Sequence, residues 1–308
     1  MIVVIGSLLP VFLLIVLGFC LKHFHVVPEE MWRGVEQLGY WVFFPSLLAS
    51  TMARADLQSI EISAISLTMI AAFATMAIGL LAGRKRLAAS LDIANPAFTS
   101  VFQCSTRWNG FVALPIAVEL YGNTGTALVA IVMACLVPLA NALNVIVLAK
   151  FASDQVPSWR RTLYIVFRNP FIWATIIGLA INLLHIPIYK PLMTALDLLG
   201  GAALGTGLLM VGAGLLLRYA LPPRLPAVFG TVTKLLIMPA LVSGYAFLFG
   251  LSGVSFAVAI ICASVPTAMN GYLLAKQMGG DAPLQAATTT LQTVISFITI
   301  PVLVWAAG

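Results

Sequence analysis

The stretch RWNGFVALP, from Arg107 to Pro115, places a charged side chain, an asparagine-glycine pair and a proline within an otherwise apolar segment. Asparagine-glycine favours turn conformations, and proline lacks the backbone N–H that a helix interior requires. A cation at this depth in a membrane helix is also costly. We therefore expect a discontinuous helix whose unwound backbone is buried in protein or lines a wet cavity.

The segments around this stretch are apolar and long. Hydrophobic residues make up 61% of the 308-residue chain and charged residues only 8%. Apolar runs of about 18 residues or more recur, and this length crosses a hydrocarbon core of about 30 Å. We therefore expect an all-α integral membrane protein embedded in the lipid bilayer. Its ten predicted transmembrane helices cover residues 2–21, 33–53, 62–82, 95–121, 124–149, 169–187, 191–217, 227–250, 253–277 and 283–306.

Basic residues are shared unevenly between the loops on the two sides of the membrane. One set of alternate loops holds most lysines and arginines, whereas the opposite set holds little beyond Arg54 and Lys190. The positive-inside rule then places both termini outside and the loop at residues 151–168 in the cytoplasm. Because this topology accounts for the net charge of +6, we expect no nucleic-acid partner.

The chain contains a weak internal repeat. Because each half holds five spans, the second half must enter the membrane the other way up, as in many secondary transporters. We therefore divide the chain into a first repeat at residues 1–150, the connecting loop at 151–168 and an inverted second repeat at 169–308. At an offset of 161 residues, the matching pairs include Glu36 with Asp197, Gly39 with Gly200, Asn109 with Asn270, and Gly110 with Gly271.

The repeat predicts a second broken helix in span nine, where Pro266 precedes Asn270 and Gly271. Interrupted helices in corresponding positions of two halves indicate a transport site near the middle of the membrane. Alternatively, the prolines only kink their helices and the glycines only allow close helix packing.

Arg107 and the two asparagines indicate the chemistry of this site. Broken helices expose N–H groups and a partial positive charge at their amino ends, and a guanidinium binds a carboxylate through two hydrogen bonds. The sequence therefore predicts a small organic anion as substrate, bound at the two breaks by Arg107, Asn109, Gly110, Asn270 and Gly271. Two alternatives stay open: Arg107 forms a permanent salt bridge with an acid of another span, and each asparagine only caps its own half-helix.

Two motifs give the chain a resemblance to a known family. They are R-x-N-G-F-x-x-L-P at Arg107–Pro115, followed by Leu120–Gly122, and V-P-T-A-x-N-x-Y at Val265–Tyr272, followed by Gly279–Asp281. Together they resemble the auxin efflux carrier family, specifically its bacterial members. The resemblance extends over the whole chain, although the long central hydrophilic loop of many plant members is missing.

The resemblance implies a fold similar to that of bile-acid symporters and sodium/proton antiporters, in which spans four and nine cross. It implies that Asn109, Pro115, Pro266 and Asn270 line the site of a carboxylate-bearing substrate. The bacterial members are described as permeases for small organic acids such as malonate or malate. We therefore expect this protein in the inner membrane of a bacterium.

Transport against an inside-negative potential requires a co-transported cation, for which H⁺ and Na⁺ are the candidates. The candidate coupling residues are Glu36, Glu119, Asp197 and Gln292. The alternatives are an ion pair of Glu36 with Arg33, an interfacial position for Glu119, and hydrogen bonds from Gln292 to neighbouring helices. Lys234, two turns into span eight, either extends to the interface or belongs to an ion pathway.

These observations predict a secondary transporter of small mono- or dicarboxylates that works by alternating access. The alternatives are an exporter or uniporter of amino acids or auxin-like aromatic acids, and a ligand sensor that transports nothing. We expect neither an enzyme nor a bound cofactor, because no complete catalytic motif is present. The four cysteines are isolated in the sequence, which argues against a metal site. A monomer and a homodimer both stay open.

Overall fold

The computed structural model describes residues 2–55, 62–152 and 170–307, and within these ranges the chain is helical and contains no β-strand. Two π-helical turns join consecutive helices: Gly39–Phe43 joins Glu29–Leu38 to Phe44–Arg54, and Thr233–Ile237 joins Leu225–Val232 to Met238–Leu248. The helices are α1 Ile2–His23, α2 Glu29–Leu38, α3 Phe44–Arg54, α4 Ile62–Ala82, α5 Arg84–Leu91, α6 Asn95–Thr106, α7 Gly110–Phe151, α8 Pro170–Leu183, α9 Lys190–Ala213, α10 Leu217–Ala220, α11 Leu225–Val232, α12 Met238–Leu248, α13 Gly253–Ser264, α14 Gly271–Met278 and α15 Ala282–Ala307.

Six helical stretches of the described residues are long and apolar enough to cross a membrane, and α8 and α13 are shorter apolar helices. This agrees with the all-α membrane class that the hydropathy predicts. Most of the connecting loop at residues 151–168 lies outside the described residues. The six stretches are Gly6–His23, Ser63–Ala82, Asn95–Phe151, Lys190–Ala213, Leu225–Leu248 and Ala282–Ala307.

Helix α7 consists of two helices that meet at Gly122, where φ is 56° and ψ is −138°. This backbone conformation suits glycine, which has no Cβ to clash. A Cβ on Gly125 would lie 2.3 Å from the carbonyl oxygen of Ala117, whereas a straight helix separates positions eight residues apart by about 12 Å. The chain therefore folds back at Gly122, and the two parts of α7 correspond to the end of predicted span four and to span five.

The helices pack in two groups. In the first group, α1 lies along α9, and α3 packs against both α8 and α9. In the second group, α15 packs against α6, α11, α13 and α14, while α4 packs against α12 and α13. Both broken segments, α6–α7 and α13–α14, have helices in the second group. Phe111, in the first part of α7, stacks on Phe44 of α3 in the first group, with ring centroids 4.6 Å apart.

Glycines allow α1 and α9 to approach closely. A Cβ on Gly212 would lie 1.8 Å from the carbonyl oxygen of Ile15, and one on Gly18 would lie 2.1 Å from that of Leu209. Since the obstructing atoms belong to the backbone, no side-chain movement can make room for them. The interface therefore requires glycine at both positions, as expected where membrane helices pack through small residues.

We predict that Gly212→Ala lowers the free energy of unfolding by about 1–3 kcal/mol, the usual cost of overpacking an interior. The matched control is Gly205→Ala in the same helix, where a Cβ would meet no atom within 4 Å. Thermal unfolding of the purified protein checks both variants. Equal melting temperatures for the two would contradict the close packing of α1 against α9.

Candidate functional site

The first break lies between α6 and α7. Arg107 and Asn109 have extended backbone conformations, and the Asn109 side chain accepts a hydrogen bond of 3.0 Å from the N–H of Phe111. Asn109 therefore caps the amino end of α7, as one alternative predicted. Pro115 lies further along, buried inside α7, so the break precedes the proline and does not depend on it.

The second break is longer. Helix α13 ends at Ser264 and α14 begins at Gly271, so Pro266 lies in the non-helical segment between them. The two breaks are in contact, because Arg107 Nη2 donates to Asn270 Oδ1 at 3.0 Å and the Thr267 hydroxyl donates to the Gln103 carbonyl at 3.5 Å. The paired interruptions that the sequence predicts therefore meet in space.

Arg107 is only 7% exposed and is surrounded by amide groups. Its Nη2 atom donates to Asn141 Oδ1 and Asn270 Oδ1, both at 3.0 Å, and Nη1 lies 3.5 Å from Gln103 Oε1. Among the described residues, no carboxylate comes within 4 Å of the guanidinium. The alternative of a permanent salt bridge is therefore wrong for the part of the chain that the structure describes.

A cavity of about 360 Å³ opens at this meeting point. Of the predicted substrate-binding residues, Arg107, Asn109, Gly110 and Asn270 line the cavity, whereas Pro115, Pro266 and Gly271 do not. The cavity extends to exposed residues in α2. The remaining polar lining residues are Arg33, Glu36, Gln37 and Asn141, and the aromatic ones are Tyr40, Trp41, Trp108, Phe111 and Phe171.

Two glutamines near the site were not identified from the sequence. The Nε2 atom of Gln103 and both polar side-chain atoms of Gln285 are buried and have no hydrogen-bond partner among the described residues. A Cβ on Gly271 would lie 2.6 Å from Gln285 Nε2, so glycine makes room for this amide beside the second break. The position of Gln103, one helical turn before Arg107, is the sequence signal that could have identified it.

The three acidic coupling candidates lie in different places. Glu36 lines the cavity near its exposed rim, with no ion pair to Arg33 within 4 Å among the described side chains. Glu119 is exposed, three residues before the turn at Gly122. Asp197 forms an ion pair with Arg54, and both side chains are partly exposed. Of the three, only Glu36 adjoins the cavity.

We predict that Asp197→Asn leaves transport and its dependence on cation gradients within about twofold of wild type. The reason is that an exposed ion pair contributes about 0–1 kcal/mol, and Asp197 does not line the cavity. Uptake into proteoliposomes, with and without a proton or sodium gradient, checks this. Loss of gradient dependence in this variant would show that Asp197 belongs to the coupling site.

Gln292 is fully buried and joins three elements. Its Nε2 atom donates to the carbonyls of Cys104 at 3.1 Å and Gly230 at 2.9 Å, and its Oε1 atom accepts from the N–H of Thr267 at 2.8 Å. Both amide hydrogens are therefore used within the protein. This favours the alternative in which Gln292 holds neighbouring helices together.

Membrane-length helices, with two interrupted segments in contact around a buried arginine, define a membrane transporter with a polar site at the break. The chain belongs to the membrane transport protein family, whose sequence profile matches residues 3–154 and 158–304. This confirms the resemblance to the auxin efflux carrier family.

Two relatives are similar over nearly the whole chain. One is an "Uncharacterized transporter" of Methanothermobacter thermautotrophicus, 24% identical over 297 residues that cover 96% of this chain and 95% of the relative. The other is a "Putative malonate transporter" of Rhizobium meliloti, 25% identical over 312 residues that cover 96% of this chain and 93% of the relative.

Proposed function

We propose that the protein is a secondary active transporter of small organic anions, mono- or dicarboxylates such as malonate or malate. The observation that carries this proposal is the buried guanidinium of Arg107, which faces a cavity and has no carboxylate partner among the described residues. A buried cation is stable only when it is paired, and a carboxylate can supply the missing charge. The name of the Rhizobium relative points to the same class of substrate.

In this proposal Arg107 binds the carboxylate while the amides of Asn109, Asn141 and Asn270 orient it. Because Asn141 and Asn270 already accept hydrogen bonds from Arg107, an arriving carboxylate takes over part of the guanidinium and releases their oxygens. Gly110 and Gly271 place the first turns of α7 and α14 beside the site, and Pro266 keeps the second break non-helical. Pro115 supports α7 from within the helix.

Symmetry between the halves supports ten spans in two inverted repeats. Helices α1 and α8 end with the same three hydrogen bonds, shifted by 160 residues, around His25 and His185, whose φ angles are 55° and 52°. Helices α6 and α13 each contain 12 residues before their breaks. We place the repeats at residues 1–150 and 169–308, with α6–α7 and α13–α14 as the crossing spans.

The proposed orientation places both termini outside the cell, in the inner membrane of a bacterium. Arg33 lies in α2, at the end of span two that the positive-inside rule assigns to the cytoplasm, and the cavity extends to this residue. The structure then corresponds to a state that is open to the cytoplasm. Alternating access moves the group of helices that holds both breaks against the group built on α1, α3, α8 and α9, which exposes Arg107 to the other side.

A second candidate substrate class is supported by the walls of the cavity. Five aromatic side chains line it, whereas a small dicarboxylate such as malonate has little apolar surface to contact them. An aromatic monocarboxylate would place its single charge on Arg107 and its ring against Trp108 or Phe171. Export of such an acid, or of an amino acid, is the alternative to dicarboxylate uptake.

Thermal unfolding of the purified protein, with malonate, malate, an aromatic monocarboxylate or neutral malonamide, distinguishes these classes. A ligand that binds only the folded state raises the melting temperature. We expect stabilisation by a carboxylate and none by malonamide, and the ligand that stabilises most identifies the class. Exchange of the labelled ligand across proteoliposome membranes then separates a transporter from a sensor that only binds it. Absence of stabilisation by every carboxylate would contradict an anion site.

A further inference from the structure

Arg107 and Lys234 are the two buried charged side chains among the described residues, where no aspartate or glutamate is buried. Lys234 is 2% exposed and lies in the π-helical turn Thr233–Ile237. It therefore does not extend to the membrane interface, which was one of the two alternatives from its sequence position. Burial of an ionisable residue inside a membrane protein is costly, and such residues are usually functional. Anion binding at Arg107 does not explain why Lys234 is buried.

The surroundings of Lys234 contain no acid. Helices α6, α11, α12, α13 and α15 pack against the π-helical turn, and their sequences contain no Asp, Glu, Lys, Arg or His. The ionisable groups on these helices are the thiols of Cys104 and Cys262, which are both buried, and the phenol of Tyr245. Within the described part of the chain, no carboxylate comes within 4 Å of the Lys234 ammonium, so it has no ion pair.

Lys234 is also connected to both breaks. The hydroxyl of its neighbour Thr233 lies 2.7 Å from the hydroxyl of Ser105, two residues before Arg107. On the other side, Cys262 lies in the last turn of α13, just before the second break. The carboxyl ends of helices carry partial negative charge. The turn that carries Lys234 therefore packs against both half-helices that lead into the breaks.

We propose that Lys234 binds the proton that is transported together with the anion. This rests on the proposed function of anion transport. A guanidinium keeps its proton at every physiological pH, whereas a lysine removed from water can exchange between ammonium and amine. In each cycle the amine gains one proton on one side of the membrane and releases one proton on the other, and no other bond changes.

Binding of the two ions is coupled in both directions. A carboxylate bound at Arg107 neutralises the charge of the guanidinium. This removes the repulsion between the two buried cations and so favours protonation of Lys234. By linkage, protonation of Lys234 favours carboxylate binding by the same factor. In the empty protein the fixed charge is the Arg107 guanidinium, and Lys234 is a neutral amine. On loading, the anion binds at Arg107 and the proton binds at Lys234. This accounts for a cation-coupled transporter without a buried carboxylate in its described interior.

The test uses full-length protein in proteoliposomes and two assays with labelled malonate. Exchange at equal pH on both sides needs substrate binding and carrier movement but no net proton movement, whereas accumulation driven by an inward proton gradient needs proton transport. The variants are Lys234→Arg, which keeps a permanent charge, and Lys234→Met, which removes it. The matched control is Lys276→Met, which changes an exposed lysine of α14.

We expect Lys276→Met to match wild type in both assays. We expect Lys234→Arg to keep at least half of the exchange rate and to lose gradient-driven accumulation at least tenfold. Lys234→Met should lose accumulation to the same extent and should need a higher malonate concentration for exchange. In a weakly buffered solution, malonate binding should take up protons in wild type and not in Lys234→Arg.

Accumulation by Lys234→Arg at the wild-type level would overturn the proposal, since it would show that only the fixed charge matters. Equal proton uptake by wild type and Lys234→Arg would overturn it as well, even if Lys234→Met fails to fold. A wild-type protein that binds malonate without exchanging it would instead refute the carrier function itself, and the proposal would fail with it.

Discussion

Replacing Arg107 with alanine is expected to reduce malonate uptake roughly 30-fold or more while leaving the protein folded. The basis is the cost of removing one partner of a buried, hydrogen-bonded charge pair, about 2–5 kcal/mol. The side chain lies at the meeting point of the two breaks, and its guanidinium is the deeply buried cation of the cavity. Since Asn141 and Asn270 border that cavity, water can occupy the space that the guanidinium leaves.

Uptake into proteoliposomes measures the loss, and size-exclusion chromatography with thermal unfolding measures folding. Arg224→Ala is the matched control, because this exposed arginine precedes α11 and lies outside the cavity. Arg107→Lys adds a finer comparison, since an ammonium keeps the charge but cannot form the paired hydrogen bonds of a guanidinium. Uptake by Arg107→Ala within threefold of the control would show that Arg107 does not bind the substrate.

The second large effect is expected for Gln292→Leu, which should lower the free energy of unfolding by about 2–6 kcal/mol. The change removes the partners of the Thr267 N–H and the Cys104 carbonyl. Each group costs about 1–3 kcal/mol when it is buried and unpaired. The Cys104 carbonyl lies in the last turn of α6 and the Thr267 N–H lies within the second break, so neither has the partner that a continuous helix would supply.

Thermal unfolding checks the Gln292 variant, and Gln277→Leu is the matched control on an exposed face of α14. The same measurement separates the two roles that the sequence leaves open. A structural role predicts a lower melting temperature in the presence and absence of sodium alike. An unchanged melting temperature, together with lost sodium or proton dependence of transport, would show that Gln292 is an ion ligand and that its hydrogen bonds contribute little to stability.

The locations of both breaks could be predicted from the sequence because their cause is local. Asparagine and glycine disfavour helix wherever they occur together, so Asn109–Gly110 and Asn270–Gly271 mark the interruptions without any knowledge of the neighbours. Pro115 does not mark the position of the break. The break ends at Asn109, which caps α7, and Pro115 lies within the helix that follows.

The sequence predicts Asn270 near Arg107, but the direct hydrogen bonds of Arg107 to amide groups could not be predicted, because they depend on how distant segments pack. Asn141 and Asn270 lie 34 and 163 residues away along the chain. The same limitation affects the acidic residues. Glu36 and Asp197 match under the repeat, yet Glu36 lines the cavity and Asp197 pairs with Arg54. Equivalent positions in the two halves have different neighbours, because each half provides different surfaces to the interior.

Lys234 shows why hydropathy alone cannot place a charged residue. Its distance from the end of span eight is short enough for a lysine to reach the interface. The side chain instead points into the protein, in a turn that packs against α6, α13 and α15. Which face of a helix is turned inward depends on the packing of the neighbouring helices, and the apolar sequence of span eight carries no periodic signal for it.

The most direct test of the central claim is an experimental structure of the protein with bound malonate in a lipid nanodisc. The account predicts carboxylate density within hydrogen-bond distance of the Arg107 guanidinium, between the amino ends of α7 and α14, with Asn270 reoriented toward the ligand. Malonate density elsewhere, with Arg107 still bonded to Asn141 and Asn270, would contradict it.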